Sequence, residues 1–191
     1  MKILILDNYD SFTYNLLGLI RNEENFEIDV IRNDEITIAE VAAYDQIILS
    51  PGPGLPADAG LMCELILQYQ HSKPIFGVCL GMQAIGEVFG GRLINLEEPQ
   101  HGVATEIHHT KSKLFSSIPS PFAAGRYHSW AVEKNSLPSA LLITALDDAG
   151  VVMAIEHKTL PIAGVQFHPE SILTEYGKKI LINFLMIHNE V

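Results

Sequence analysis

The sequence predicts an α/β fold: a mostly parallel central sheet flanked by helices, with an antiparallel extension. Three observations predict it. Apolar runs alternate with amphipathic segments through the first half of the chain. Two of those runs, Ile3–Leu6 and Pro74–Val78, are apolar almost throughout, as strands covered on both faces are. After Gly91 the pattern changes to strand-like segments separated by turns. A length of 191 residues suits one domain, 1–191, with a full core.

Each element has its own justification. Lys2–Asp7 is a first strand. Asn8-Tyr-Asp-Ser-Phe-Thr-Tyr-Asn15 follows, where Asp10 or Ser11 can cap a helix with Leu16, Leu17, Leu19 and Ile20 on one face. Those polar residues either bind a ligand at the strand end or only cap and turn. Phe26–Arg32 alternates and reads as a strand. Thr37 and Glu40 form a capping-box pattern opening a short helix through Ala43. Gln46–Ser50 is a third strand, and Asp58 to Gln70 the next helix. Between them, Pro51-Gly-Pro-Gly54 is a rigid turn exposing backbone N–H groups at a strand's C-terminal end. It is read here as an anion or oxyanion cradle, against the alternative of an ordinary loop. Beyond Gly91, strand character recurs at Arg92–Asn95, Val103–His108, Gly125–Val132, Ala140–Thr144, Val151–Ile155 and Ile162–Phe167. A last amphipathic helix, Tyr176 to His188, buries Ile180, Leu181, Phe184 and Leu185.

Composition narrows the functional classes. A formal net charge of −11 argues against a nucleic-acid surface, which needs clustered Lys and Arg. It suits a partner carrying a basic patch. No apolar run is long enough to span a membrane, and the apolar Ile3–Leu6 is too short for a signal peptide. With only two cysteines, the expected compartment is the reducing cytoplasm.

The seven residues Gly77-Val-Cys-Leu-Gly-Met-Gln83 organise the chain. Cys79 sits where a strand turns into the helix Met82–Phe89, with glycines two residues before and two after. This is the cysteine form of a nucleophile elbow. The turn directs the sulfur out of the sheet edge and sets it at a helix N-terminus, which favours thiolate. It also places the Leu80 N–H to donate to an oxyanion. Without the glycine frame a lone Cys among apolar residues is core filler, and Cys63 is read that way.

A cysteine nucleophile needs a base and something to orient it. Of eight histidines, His71, His157 and His188 lie in polar or turn contexts and read as surface residues. His108 and His109 are paired without a Cys or carboxylate cluster to suggest a metal. His101 and His128 remain possible contacts. His168 ends an apolar strand before Pro169, and Glu170 two residues on points the same way in extended chain. Glu170 can therefore hold one ring nitrogen and leave the other facing Cys79, in the order Cys-His-Glu.

Three motifs in this order, Ser-Pro-Gly-Pro-Gly54, Gly-Val-Cys-Leu-Gly-Met-Gln83 and Gly-Val-Gln-Phe-His-Pro-Glu-Ser171, resemble the class I (triad) glutamine amidotransferases over essentially the whole chain. Asp7–Leu16 and Arg126-Tyr-His-Ser-Trp130 are similar to the small-subunit branch that serves anthranilate and aminodeoxychorismate synthases. The resemblance implies catalytic Cys79, His168 and Glu170, and an oxyanion held by the N–H groups of Gly52 and Leu80. It implies that Gly52, Pro53, Gly54, Gln83, Ser129 and Trp130 hold L-glutamine. It also implies a separate chorismate-binding synthase subunit that receives the ammonia, with no cofactor and no metal. The chain departs from the common pattern at Val103, where many members have Lys, and at Trp130, where many have Leu. The alternatives are a γ-glutamyl hydrolase on this fold, a non-catalytic regulatory subunit, and a GMP- or CTP-forming amidotransferase.

Overall fold

The computed structural model describes residues 1–188. Its sheet grows from the near-continuous apolar runs. Lys2–Asp7 is β1, Glu27–Arg32 β2, Gln46–Leu49 β3 and Ile75–Val78 β4. Leu93–His109 is β5, Phe122–Val132 β6, Leu141–Asp147 β7, Val152–His157 β8 and Ile162–Val165 β9. The spatial order is β2-β1-β3-β4-β9-β8-β7-β5-β6. From β2 to β9 the neighbours run parallel, and from β9 outward to β6 they run antiparallel. The sheet thus has the predicted parallel core and antiparallel extension. The last strand in sequence lies in the interior, between β4 and β8.

Alternation along the strands divides the core into two layers. Ile3 and Ile5 of β1 face one side, with Leu16 and Ile20 of α1 (Thr13–Ile20) and Ile180, Leu181, Phe184 and Leu185 of α4 (Gly177–Ile187). Leu4 and Leu6 face the other side, with Met62, Leu65 and Ile66 of α2 (Met62–Tyr69) and Met82, Ala84 and Ile85 of α3 (Leu80–Val88). Two helices therefore cover each face, which is why β1, β3 and β4 carry no polar alternation. The Phe184 ring meets Phe76 of β4 at 4.9 Å between centroids, docking α4 beneath the strand that leads to the elbow.

Several local readings change. Asp10 does not cap α1 directly. Its carboxylate accepts the Phe12 N–H at 2.8 Å, while Asp7 at the end of β1 accepts the Thr13 hydroxyl at 2.7 Å. Thr37 and Glu40 do form the reciprocal box, with Thr37 N–H donating to Glu40 at 2.8 Å, but it opens a 3-10 turn, Glu40–Ala43. The helix expected from Asp58 starts at Met62, because the chain reverses at Gly60 (φ +56°) after a separate 3-10 turn, Pro56–Asp58. Arg92–Asn95 and Val103–His108 fall on one strand of 17 residues, whose pairing with β6 breaks register between Asn95 and Gln100 and between His101 and Val103.

Phe184→Ala empties a fully buried ring site. It is expected to destabilise the fold by about 3–5 kcal/mol, measured as a lower urea midpoint with little change in slope.

Candidate active site

The carboxyl ends of β3, β4 and β9 are adjacent, and everything predicted to do chemistry gathers there. At the end of β4 the backbone of Cys79 takes φ +52° and ψ −101°, a conformation costly for a residue with a Cβ. Two contacts hold it. The Cys79 N–H donates to the Val165 carbonyl at 2.8 Å, and the Cys79 carbonyl accepts the Gln83 N–H at 3.0 Å. The turn is so tight that a Cβ on Gly77 would lie 2.4 Å from the Gly81 backbone, and one on Gly81 2.6 Å from the Leu49 carbonyl oxygen. This is the physical need behind Gly-x-Cys-x-Gly. Cys79 is 5% exposed. Cys63, by contrast, is half-buried on α2 with its sulfur 3.6 Å from the Pro56 carbonyl, and burial, with Glu87 nearby, pushes its thiol pKa up.

After β3 comes Ser50-Pro-Gly-Pro-Gly54. Gly52 lies against the elbow, since a Cβ there would meet Asn8 Cβ at 2.6 Å and Leu80 Cδ2 at 2.7 Å. The fold thus brings Gly52 and Leu80 together. Pro53 and Gly54 are exposed. The turn is anchored by a buried polar cluster. Asn8 Nδ2 donates to the Ser50 carbonyl at 2.9 Å, the Asn8 N–H to Ser50 Oγ at 2.9 Å, and Asn33 Nδ2 to Asn8 Oδ1 at 3.0 Å.

Past β9 the chain runs through Gln166 and Phe167 to His168, 2% exposed. His168 Nδ1 and Glu170 Oε1 are 2.6 Å apart, so the i, i+2 pairing forms. The His168 N–H donates to the Gly125 carbonyl at 2.9 Å, and the Thr174 hydroxyl donates to the His168 carbonyl at 2.6 Å. The ring sits edge-on to Tyr127 and Phe12, at 4.9 and 5.4 Å. Burial opposes charge on the imidazole, but Cys79 and Glu170 outweigh it and raise the His168 pKa well above its ordinary value. His168 Nε2 is buried without a hydrogen-bond partner among the described residues, as is Glu170 Oε2.

The remaining expected residues lie on α3 and β6. Gln83 is buried, and its Nε2 donates to the Trp130 carbonyl at 2.8 Å and to Gln166 Oε1 at 3.2 Å. Both amide protons are therefore committed, and only Oε1 is left to offer. Ser129 and Trp130 are half-buried on β6. The Trp130 carbonyl also accepts from His128 Nδ1 at 2.8 Å.

Two residues carry more than the sequence suggested. Gln166 is fully buried, with Nε2 3.5 Å from Cys79 Sγ. Its only sequence signal was its place in the Gly-Val-Gln-Phe-His run. His128, left open as a possible contact, is a buried residue within β6. Its Nε2 accepts from Arg126 Nε at 3.0 Å, and Arg126 is paired with Asp147 at 2.6 Å. Burial, then the charge of Arg126, depress the His128 pKa to about 4.

His71 is exposed as expected, while His157 and His188 are half-buried. His101 is exposed and edge-on to Tyr127 at 5.6 Å. The fold does bring carboxylates to His108: donor atoms of Glu106, His108 and Asp148 lie within 4.8 Å of one another. All three are exposed, and His108 and Asp148 already pair at 2.7 Å. No helix among the described residues is long and apolar enough to cross a membrane.

An elbow cysteine beside a buried histidine–glutamate pair, at the carboxyl edge of a parallel sheet, is the arrangement that cysteine-dependent acyl transfer requires. Residues 4–188 match the family model described as glutamine amidotransferase class-I, and the chain belongs to that family. Among curated relatives it is 46% identical over 186 residues to anthranilate synthase component 2 of Pyropia yezoensis, covering 96% of this chain and 98% of that one. It is 47% identical over 185 residues to the aminodeoxychorismate/anthranilate synthase component 2 of Bacillus subtilis, covering 96% and 95%. It matches the bifunctional protein TrpGD of Thermotoga maritima at 46% identity, spanning 98% of this chain but 32% of that longer protein. A solved glutamine amidotransferase from Thermotoga maritima superposes with a TM-score of 0.77 at 15% identity, covering 100% of this chain and 99% of that one, a likeness of fold.

The His128 shift has a definite pH sign. A histidine whose folded pKa lies below its unfolded value stabilises the fold above about pH 6.5, and that stability is lost as pH falls toward 4. The displacement from 6.5 to about 4 corresponds to roughly 3 kcal/mol. Urea titrations from pH 8 to 4.5 should show a steeper loss in the parent than in His128→Gln, which carries no titrating ring.

Proposed function

We propose that this chain is the glutaminase component of a chorismate-using synthase, supplying ammonia from L-glutamine for anthranilate synthesis, 4-amino-4-deoxychorismate synthesis, or both. The carrying observation is the His168–Glu170 pair, 2.6 Å apart and buried beside the elbow cysteine. The partner reading is supported by the near full-length likeness to component 2 proteins.

The chemistry runs as follows. His168, its pKa raised by Cys79 and Glu170, takes the Cys79 thiol proton and frees the thiolate. The thiolate attacks the side-chain amide carbon of glutamine. The carbonyl oxygen becomes an oxyanion held by the N–H groups of Gly52 and Leu80, which the close approach of these two residues allows. As the C–N bond breaks, His168 Nε2 gives its proton to the leaving nitrogen, and ammonia departs. Water then attacks the glutamyl thioester, His168 taking its proton, and glutamate leaves as Cys79 is restored. Glu170 fixes the tautomer and balances the imidazolium through Nδ1.

Gly52, Pro53, Gly54, Gln83, Ser129 and Trp130 bind the glutamine. Gln83 does so as an acceptor, because both its amide protons are engaged. Ser129 and Trp130 act through backbone, so a Trp at 130 serves as well as a Leu. Ammonia passes to the chorismate-binding subunit, whose docking completes the oxyanion site. A reducing cytoplasm keeps Cys79 a free thiol.

The test is glutamate release from glutamine, with and without each candidate chorismate-using subunit. The expected result is weak release alone and strong stimulation by one subunit or both. Release from γ-glutamyl peptides with no stimulation would overturn the assignment in favour of a hydrolase. In the complex, Cys79→Ala should abolish glutamine-dependent synthesis while leaving ammonia-dependent synthesis intact. Surviving glutamine-dependent turnover would remove Cys79 from the role of nucleophile.

A further inference from the structure

The histidine is not the only side chain at the sulfur of Cys79. Gln166 Nε2 lies 3.5 Å from Sγ, the same sulfur that helps raise the His168 pKa. Gln166 is fully buried, and its backbone N–H is fixed to the Met153 carbonyl at 2.9 Å. Its amide cannot turn freely, because Oε1 accepts from Gln83 Nε2 at 3.2 Å, and Gln83 is itself fixed to the Trp130 carbonyl at 2.8 Å. A buried primary amide oriented in this way presents an N–H to the sulfur. Such a donor favours an anion over a neutral thiol, more so where water is excluded.

We infer that Gln166 is a positioning residue for the nucleophile: its side-chain amide, aimed by Gln83 and the Trp130 carbonyl, holds Cys79 Sγ and stabilises it as thiolate. The inference rests on the reading of Cys79 as nucleophile. It adds a second, uncharged support for the thiolate. The charged groups around the sulfur are His168 and, behind it, Glu170, both on the segment after β9. On the β6 side stand His128, neutral and held by Arg126, and the Asp147 that neutralises Arg126. Gln166 is thus the contact to sulfur that carries no titratable group.

The test measures the thiolate without using glutamine, so it stands or falls apart from the glutaminase assignment. The rate of iodoacetamide addition to Cys79, followed on the Cys79 peptide by mass spectrometry, is measured from pH 5 to 9. In Gln166→Met, which keeps the side-chain length and removes the donor, the rate at pH 7 should fall roughly ten-fold, the effect of withdrawing one hydrogen bond to a charged group. The pH profile should move upward. A residue that merely fills the core would change the unfolding midpoint and leave the profile where it was. The unaltered chain supplies a second readout that needs no variant to fold. The Gln166 side-chain amide signal in a nitrogen-15 NMR spectrum should shift with pH in step with Cys79 alkylation rates, and stop shifting once Cys79 is alkylated. An unchanged alkylation profile in folded Gln166→Met, or an amide signal indifferent to alkylation of Cys79, would overturn the inference.

Discussion

The hydrogen bond from the Cys79 N–H to the Val165 carbonyl, at 2.8 Å, ties the site together. It continues the β4–β9 pairing one residue past the end of β4, at the point where the chain turns into α3. The backbone of Cys79 is strained there, and one bond both satisfies its N–H and sets it beside the last residue of β9. From Val165 the chain needs three more residues to reach His168. Cys79 and His168 are therefore positioned from the ends of adjacent strands of a sheet covered by helices on both faces.

A second layer of order is polar and buried. Asp147 accepts the Val151 N–H at 2.8 Å and pairs with Arg126, which donates to His128. His128 shares the Trp130 carbonyl with Gln83, and Gln83 leads through Gln166 to the sulfur. Each member is paired, the condition under which a buried network rigidifies a site. The depressed His128 pKa belongs to this logic, since a neutral ring can accept from Arg126 and donate to the Trp130 carbonyl at once.

The parts legible in the sequence are those encoded locally. Gly-x-Cys-x-Gly states a steric requirement within five residues, and His-x-Glu in extended chain states which side chains share a face. Strands buried on both faces announce themselves by missing alternation, as β1 and β4 do. What was hidden depends on distant pairing. Gln166 touches Cys79 only because β9 lies next to β4, a neighbour relation that no local pattern specifies. Arg126 and His128 lie in a strand-like run whose burial is not written locally: Arg126 is matched by Asp147 from β7, while His128 is held by the Trp130 carbonyl of its own strand. His108 acquired Asp148 from the turn after β7, beside Glu106 of its own strand. The start of α2 was misread because a good helical pattern ran through Gly60, where the backbone turns the other way.

The position of β9 carries a consequence for how the molecule comes into being. As the chain is synthesised, β1 to β4 can pair in order, but the outer edge of β4 stays open until β9, which follows the other eight strands in sequence, is made. Until then the Cys79 N–H lacks its acceptor, the antiparallel half has no seam to join, and an unpaired apolar strand faces the surroundings. Nascent chains therefore pass through a stage in which the cysteine exists without its histidine. Cys79 and His168 come together only once β9 is in place beside β4.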